Sequence, residues 1–183
     1  GPDVVGVPVF PGEPERAVVY GMSYPTREVR QNVVPRFASA AAQTARFSIG
    51  LLHANVGADT GHEPYAPCTL EDLGATAMDY WALGHVHTRQ VLRPHAPAVV
   101  YPGNPQGRHA NEAGARGVFL VEVSDTGRVT LDFRATDVAR FAREVKEVYG
   151  QQFETATVGV DIWTPAMTTV LHEAFPKVRF VSG

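Results

Sequence analysis

The sequence predicts a mixed α/β fold, and three observations carry that reading. Two apolar runs, residues 47–53 and 80–84, have strand character and lead into histidines. Gly117–Val123 and residues 128–134 flank Ser124-Asp125-Thr126-Gly127 as a β-hairpin. Residues 137–149 place Val138, Phe141, Ala142, Val145, Val148 and Tyr149 at helical spacing.

Composition bounds the protein class. The chain has 183 residues, 44% of them hydrophobic and only 19% charged, enough for one domain with a core plus a small appendage and too apolar for disorder. A single cysteine, Cys68, excludes a disulfide framework and points to a reducing, cytoplasmic setting. Neither a membrane span nor a signal peptide is expected, and Gly1-Pro2 reads as a remnant of tag cleavage. The net charge of −3 is uneven. Between Gly84 and Gly117, Arg89, Arg93, Arg108 and Arg116 against Glu112 give +3, leaving −6 to the rest. Such a window either draws a phosphate-bearing substrate or is solubilising surface.

Taken in order, residues 4–10 and 17–20 read as short strands around Pro11-Gly12-Glu13-Pro14, followed by the loop Gly21-Met22-Ser23-Tyr24-Pro25. Residues 27–37 read as a helix with Thr26 as N-cap and Val29, Val33 and Val34 on one side, ended or kinked by Pro35. Residues 38–45 continue it as a second piece. The strand 47–53 stops at His53. Residues 54–67 form a polar loop over the site, with Asp59, Glu63 and His62, the last a surface residue. Thr69 caps a short helix with Asp72 at N3. After the central strand, residues 90–92 and 98–101 read as strands joined through Pro94 and Pro97. Gly150 closes the helix 137–149. A strand 157–163, a helix from Thr164-Pro165 to about residue 175 and a strand 178–181 complete the tail.

Chemistry concentrates at Gly84-His85-Val86-His87. On a strand, His85 and His87 share one face, close enough for one ion or two adjacent ions, and Gly84 suits a close approach. Imidazole accommodates Zn, Mn, Fe, Ni and Cu, so the pattern alone selects no metal. Two partly exposed histidines at a strand end are the plainer alternative. His53 ends a second strand, and in a shared sheet it joins His85 and His87 at the carboxyl edge. Asn104, Arg108 and His109, in Pro102-Gly103-Asn104-Pro105-Gln106-Gly107-Arg108-His109, are candidate phosphate-binding residues.

Leu51-Leu52-His53, then Tyr80-Trp81-Ala82-Leu83-Gly84-His85-Val86-His87, then the segment from Tyr101 to His109 resemble the second half of a calcineurin-like metallophosphoesterase. The likeness covers residues 17–135 and is greatest to the DNA-repair exonuclease, SbcD-like branch. Tyr20-Gly21-Met22-Ser23-Tyr24-Pro25 also fits the loop before the histidine strand. The resemblance implies that residues 1–135 form a partial metallophosphoesterase β-sandwich flanked by helices, the C-terminal half of such a domain. Residues 136–183 then form a small α/β appendage of helix-strand-helix-strand order. It also implies two divalent ions, typically Mn²⁺, with His53 and His85 on one and His87 on the other. Two ions about 3.5–4 Å apart clamp a phosphoryl group and activate water. Affinity should fall as pH drops below the histidine reference pKa of about 6.5.

The family's first-half motifs, an Asp-x-His, a Gly-Asp and a Gly-Asn-His followed by an acid, are absent from this sequence. The catalytic residues and half of the ligands are therefore expected in a missing first half, which makes the chain a fragment, a split member or a degenerate one. The expected function is metal-dependent phosphodiester hydrolysis by a DNA exonuclease, with DNA and an SMC-like ATPase as partners and no membrane. The alternatives are a non-catalytic half-domain acting as a binding module, and a phosphatase on nucleotides or proteins.

Overall fold

Short, mostly apolar strands build the central sheet of the computed structural model, which describes residues 3–26, 28–40, 45–57, 65–108, 112, 114–137, 157–160 and 179–182. The elements are β1 (Val5–Pro8), β2 (Val18–Gly21), α1 (Pro35–Ala40), β3 (Ser48–His53), α2 (Leu70–Gly74), β4 (Tyr80–Gly84), β5 (Gln90–Arg93) and β6 (Ala98–Tyr101). They are followed by β7 (Gly117–Val123), β8 (Val129–Ala135), β9 (Thr157–Val160) and β10 (Arg179–Ser182). Two compact units result: residues 1–103 with 118–134, and residues 104–117 with 135–183. Residues 104–117 thus group with the tail, where the sequence suggests a boundary after residue 135.

In the first unit six strands run in the order β1-β2-β3-β4-β6-β5. β2, β3, β4 and β6 are parallel, and β1 and β5 pair antiparallel at the edges. Near-continuous apolar runs such as Ala98–Tyr101 suit this arrangement, because a parallel sheet is covered on both faces. On one face Val18, Tyr20, Leu52, Trp81, Leu83, Val99 and Tyr101 pack with Phe37 of α1 and Leu73 of α2. The Trp81 indole is fully buried, meets the Phe37 ring edge-on at 5.0 Å and donates to the Leu73 carbonyl at 3.2 Å. On the other face Phe47, Tyr80, Ala98 and Val100 meet Phe119, Val121, Val129 and Leu131 of the β7–β8 hairpin. Helices on one side and a second β-layer on the other are the layering expected of a partial metallophosphoesterase sandwich.

Asp79 ties the strand starts together. Its carboxylate accepts from Ser48 N–H at 2.7 Å, its own N–H donates to the Ser48 carbonyl, and its carbonyl accepts from Ala98 N–H. Thr69 and Asp72 form the expected capping box: the Thr69 hydroxyl accepts from Asp72 N–H, and the Asp72 carboxylate accepts from Thr69 N–H at 2.8 Å. Gly127, at φ +78°, closes the hairpin turn back onto Ser124.

Three expectations change. Pro35 begins a helix instead of ending one, because a proline at the first helical position lacks only an N–H that has no partner there. Residues 28–34 are correspondingly irregular, and Thr26 bonds the Glu28 carbonyl instead of capping a helix. Strand β4 stops at Gly84, so His85 and His87 lie beyond it. In the second unit β9 and β10 pair in parallel, where the sequence places strands. Of the expected helix over 137–149 all but Asp137, of the helical piece over 38–45 residues 41–44, and the whole of the expected helix over 164–175 lie outside the described residues, as do the loop residues Asp59, His62 and Glu63.

No helix among the described residues is long and apolar enough to cross a membrane. Cys68 is buried, and desolvation, reinforced by Asp72, pushes its thiol up to about 12. The thiol should therefore stay inert to a water-soluble disulfide reagent in the native chain and react only after denaturation.

Candidate metal centre

The carboxyl ends of β3 and β4 place the candidate ligands. In the parallel register His53 pairs with Gly84, so the histidine ending one strand stands beside the residue preceding His85 on the next. The facing ring nitrogens, Nε2 of His53 and Nδ1 of His85, are 3.2 Å apart, with ring centroids at 5.1 Å and planes at 79°. Only glycine at position 84 permits this approach, since a Cβ there would sit 2.9 Å from His53 Nδ1.

His85 itself adopts φ +96°, a region that disfavours every residue with a Cβ and that recurs at functional sites. This bend replaces the shared strand face expected of His85 and His87. His87 is half-buried, and Gly103 at the exit of β6 fits closely against it. With φ +76°, Gly103 would carry a Cβ only 2.7 Å from the His87 carbonyl oxygen and 3.0 Å from Arg89 N.

Aromatic residues surround the pair. The Tyr24 hydroxyl donates to the His53 carbonyl at 2.8 Å. Burial first, then Tyr65 and Cys68, push its pKa up to about 12, so it keeps its proton at neutral pH. The Tyr65 ring stacks on His85 and meets His53 edge-on. Neither Tyr24 nor Tyr65 stands out in the sequence, although Tyr24 falls in the Gly21–Pro25 loop that carries part of the resemblance.

Partial desolvation lowers the pKa of His53 from its ordinary value, and the neighbouring His87 lowers it further. The unfolded chain, with a histidine near 6.5, therefore binds more protons than the folded chain as pH falls below that value. Stability should be full above the unfolded pKa and be lost progressively as pH drops through the window beneath it. The urea midpoint of metal-free protein should accordingly decline from pH 7.5 to pH 5.5, less steeply in His53→Gln.

The donor chemistry fits a divalent ion in part. Two nitrogens bound about 2.0–2.1 Å from one ion, at right angles or tetrahedrally, stand roughly 2.9–3.4 Å apart, and the observed 3.2 Å falls in that range. A lowered His53 pKa also keeps that imidazole in its ligating form. Among the described residues no group of three or more His, Cys, Asp or Glu is placed to hold a metal ion, so His87 does not join the pair as a third ligand of one ion.

In the second unit, Asn104 donates from Nδ2 to the Glu112 carboxylate at 2.8 Å and accepts from the Arg116 guanidinium at 3.1 Å. Arg108 donates through its backbone N–H to the same Glu112 carboxylate. His109 lies outside the described residues. The +3 window does not become a four-arginine patch. Arg116 is buried and donates to the Glu112 carbonyl, and Arg93 reaches the Leu70 carbonyl at 2.9 Å. Arg89 stacks over the Phe133 ring at 3.7 Å.

No family model matches the chain. It is, however, 46% identical over 123 residues to the uncharacterized metallophosphoesterase YhaO of Bacillus subtilis (strain 168). That likeness supports the metallophosphoesterase superfamily. The matched stretch is 67% of this chain and 29% of the relative, so the chain spans under a third of that metallophosphoesterase. Metal-dependent phosphoester hydrolysis is the general chemistry of the superfamily, and divalent ions are its general cofactors.

Proposed function

We propose that this chain is the histidine-bearing part of a metal-dependent phosphodiesterase, a DNA exonuclease of the cytoplasm. The observation that carries the reading is the convergence of His53 Nε2 and His85 Nδ1 at 3.2 Å on the carboxyl edge of a parallel sheet, where ligands of open α/β sheets gather. His53 and His85 hold one ion, and His87 belongs to a second. When bound, Mn²⁺ supplies Lewis-acid polarisation of a phosphoryl oxygen and lowers the pKa of coordinated water. The chain's own contribution is to favour the neutral form of His53, fix the ring planes of His53 and His85 and bend the backbone at His85. Arg108 and His109 contact the phosphates of the DNA strand, whereas the Asn104 amide is taken up by Glu112 and Arg116, and an SMC-like ATPase is the partner. Acidic ligands and the proton donor come from polypeptide beyond this sequence, in keeping with the 29% of the relative that the chain spans.

The test is hydrolysis of linear double-stranded DNA with Mn²⁺ by a polypeptide that joins this chain to such a first half. Degradation that disappears with EDTA is expected. Hydrolysis of small phosphodiesters without action on DNA overturns the nuclease assignment, and release of phosphate from nucleotides alone makes the protein a phosphatase.

A further inference from the structure

We infer that Tyr65 is a positioning residue that locks the His53 and His85 rings in their converged, ligating orientation. The inference rests on the metal-centre reading above for its consequence, though not for its geometry. The Tyr65 ring touches both histidines at once: it stacks on His85 with centroids 5.8 Å apart and planes at 19°, and meets His53 at 5.3 Å and 86°. Tyr24 packs edge-on behind it at 5.3 Å while its hydroxyl holds the His53 carbonyl, so the wall is itself braced.

The Tyr65 backbone is fastened to the strand end that carries His53. Its N–H donates to Asn55 Oδ1 at 3.0 Å, and its carbonyl accepts from Asn55 N–H at 2.8 Å. Asn55 is buried two residues after His53, and Ala66, which follows Tyr65, donates to the Val29 carbonyl at 2.7 Å. One residue therefore couples the exits of β3 and β4. The coupling matters because the second torsion of a histidine is broad and two-fold, so packing must select the ring orientation. A flat ring lying parallel to His85 and perpendicular to His53 fixes both orientations; an aliphatic side chain of equal bulk fixes neither. Groups that orient metal-ligating histidines typically contribute roughly 10–100-fold to metal affinity.

Imidazole ¹⁵N–¹H correlation spectra of the metal-free chain, followed by a Co²⁺ titration, test the inference. In the native chain the Nδ1···Nε2 hydrogen bond requires one donor and one acceptor, so the two rings are protonated either both at Nε2 or both at Nδ1, and rings locked by Tyr65 should each show a single tautomer. Tyr65→Phe should keep both tautomers and the Co²⁺ affinity. Tyr65→Leu, which retains bulk and serves should Tyr65→Ala fail to fold, should show averaged tautomers and Co²⁺ binding about 10–100-fold weaker at an unchanged melting temperature. Fixed tautomers in Tyr65→Leu overturn the inference, as does unchanged Co²⁺ affinity in a chain that binds it. A native chain with fixed tautomers that binds no Co²⁺ overturns the metal-centre reading instead, and the tautomers of Tyr65→Leu still decide the role of Tyr65.

Discussion

Gly50→Ala should destabilise the chain by about 3 kcal/mol, the upper part of the range for overpacking a core, read as a lower urea midpoint at unchanged slope. A Cβ at position 50 would sit 2.4 Å from two carbons of the Trp81 ring and 2.8 Å from a third. The indole cannot retreat easily, since Phe37 packs against it and its N–H is held by the Leu73 carbonyl. Trp81 lies in the layer between the sheet and both helices, so the strain falls on the contacts that fix β3 beside β4. Adding Trp81→Leu to Gly50→Ala should recover part of the loss relative to the sum of the single effects, because the two sites share one contact. Strict additivity would show that the glycine is needed for another reason.

His85→Ala should remove the metal affinity of the pair by about 100-fold or more, since groups that only orient a ligand already contribute roughly 10–100-fold. It should not destabilise the fold comparably. His85 sits at φ +96°, where a Cβ is strained, and relief of such strain is on the order of 1 kcal/mol or more. His85→Gly should therefore be more stable than both the native chain and His85→Ala while binding no better than alanine. A native histidine that a glycine outperforms in stability is held there for chemistry, and thermal melts of the three proteins beside Mn²⁺ titrations measure both halves of that statement.

The sheet was legible in the sequence because its central strands are mostly apolar runs with turn residues or histidines at their ends. Residues 98–101 were placed to the residue, and the Ser124–Gly127 turn announced the hairpin. The capping box at Thr69 was equally readable, being a local pattern with a local cause. Pro35 misled, because the same ring that breaks a helix interior favours a helix start, and which applies depends on where the chain packs Phe37 against Trp81. At the site, His53 and His85 were recoverable from strand endings. The bend at His85 was not, because a left-handed backbone at a histidine has no sequence signature. Tyr65 was hidden for a different reason: its partnership with Asn55 and both histidines arises only when a loop closes in space. The arginine window misled by counting charge without burial, and Arg116 shows the error most clearly.

We propose that the facing nitrogens of His53 and His85 are two ligands of one divalent ion. Anomalous diffraction from crystals of this chain grown with Mn²⁺ addresses it directly. A peak about 2.0–2.2 Å from both His53 Nε2 and His85 Nδ1 is expected. A chain that binds Mn²⁺ in solution but shows its peak away from this pair would contradict it.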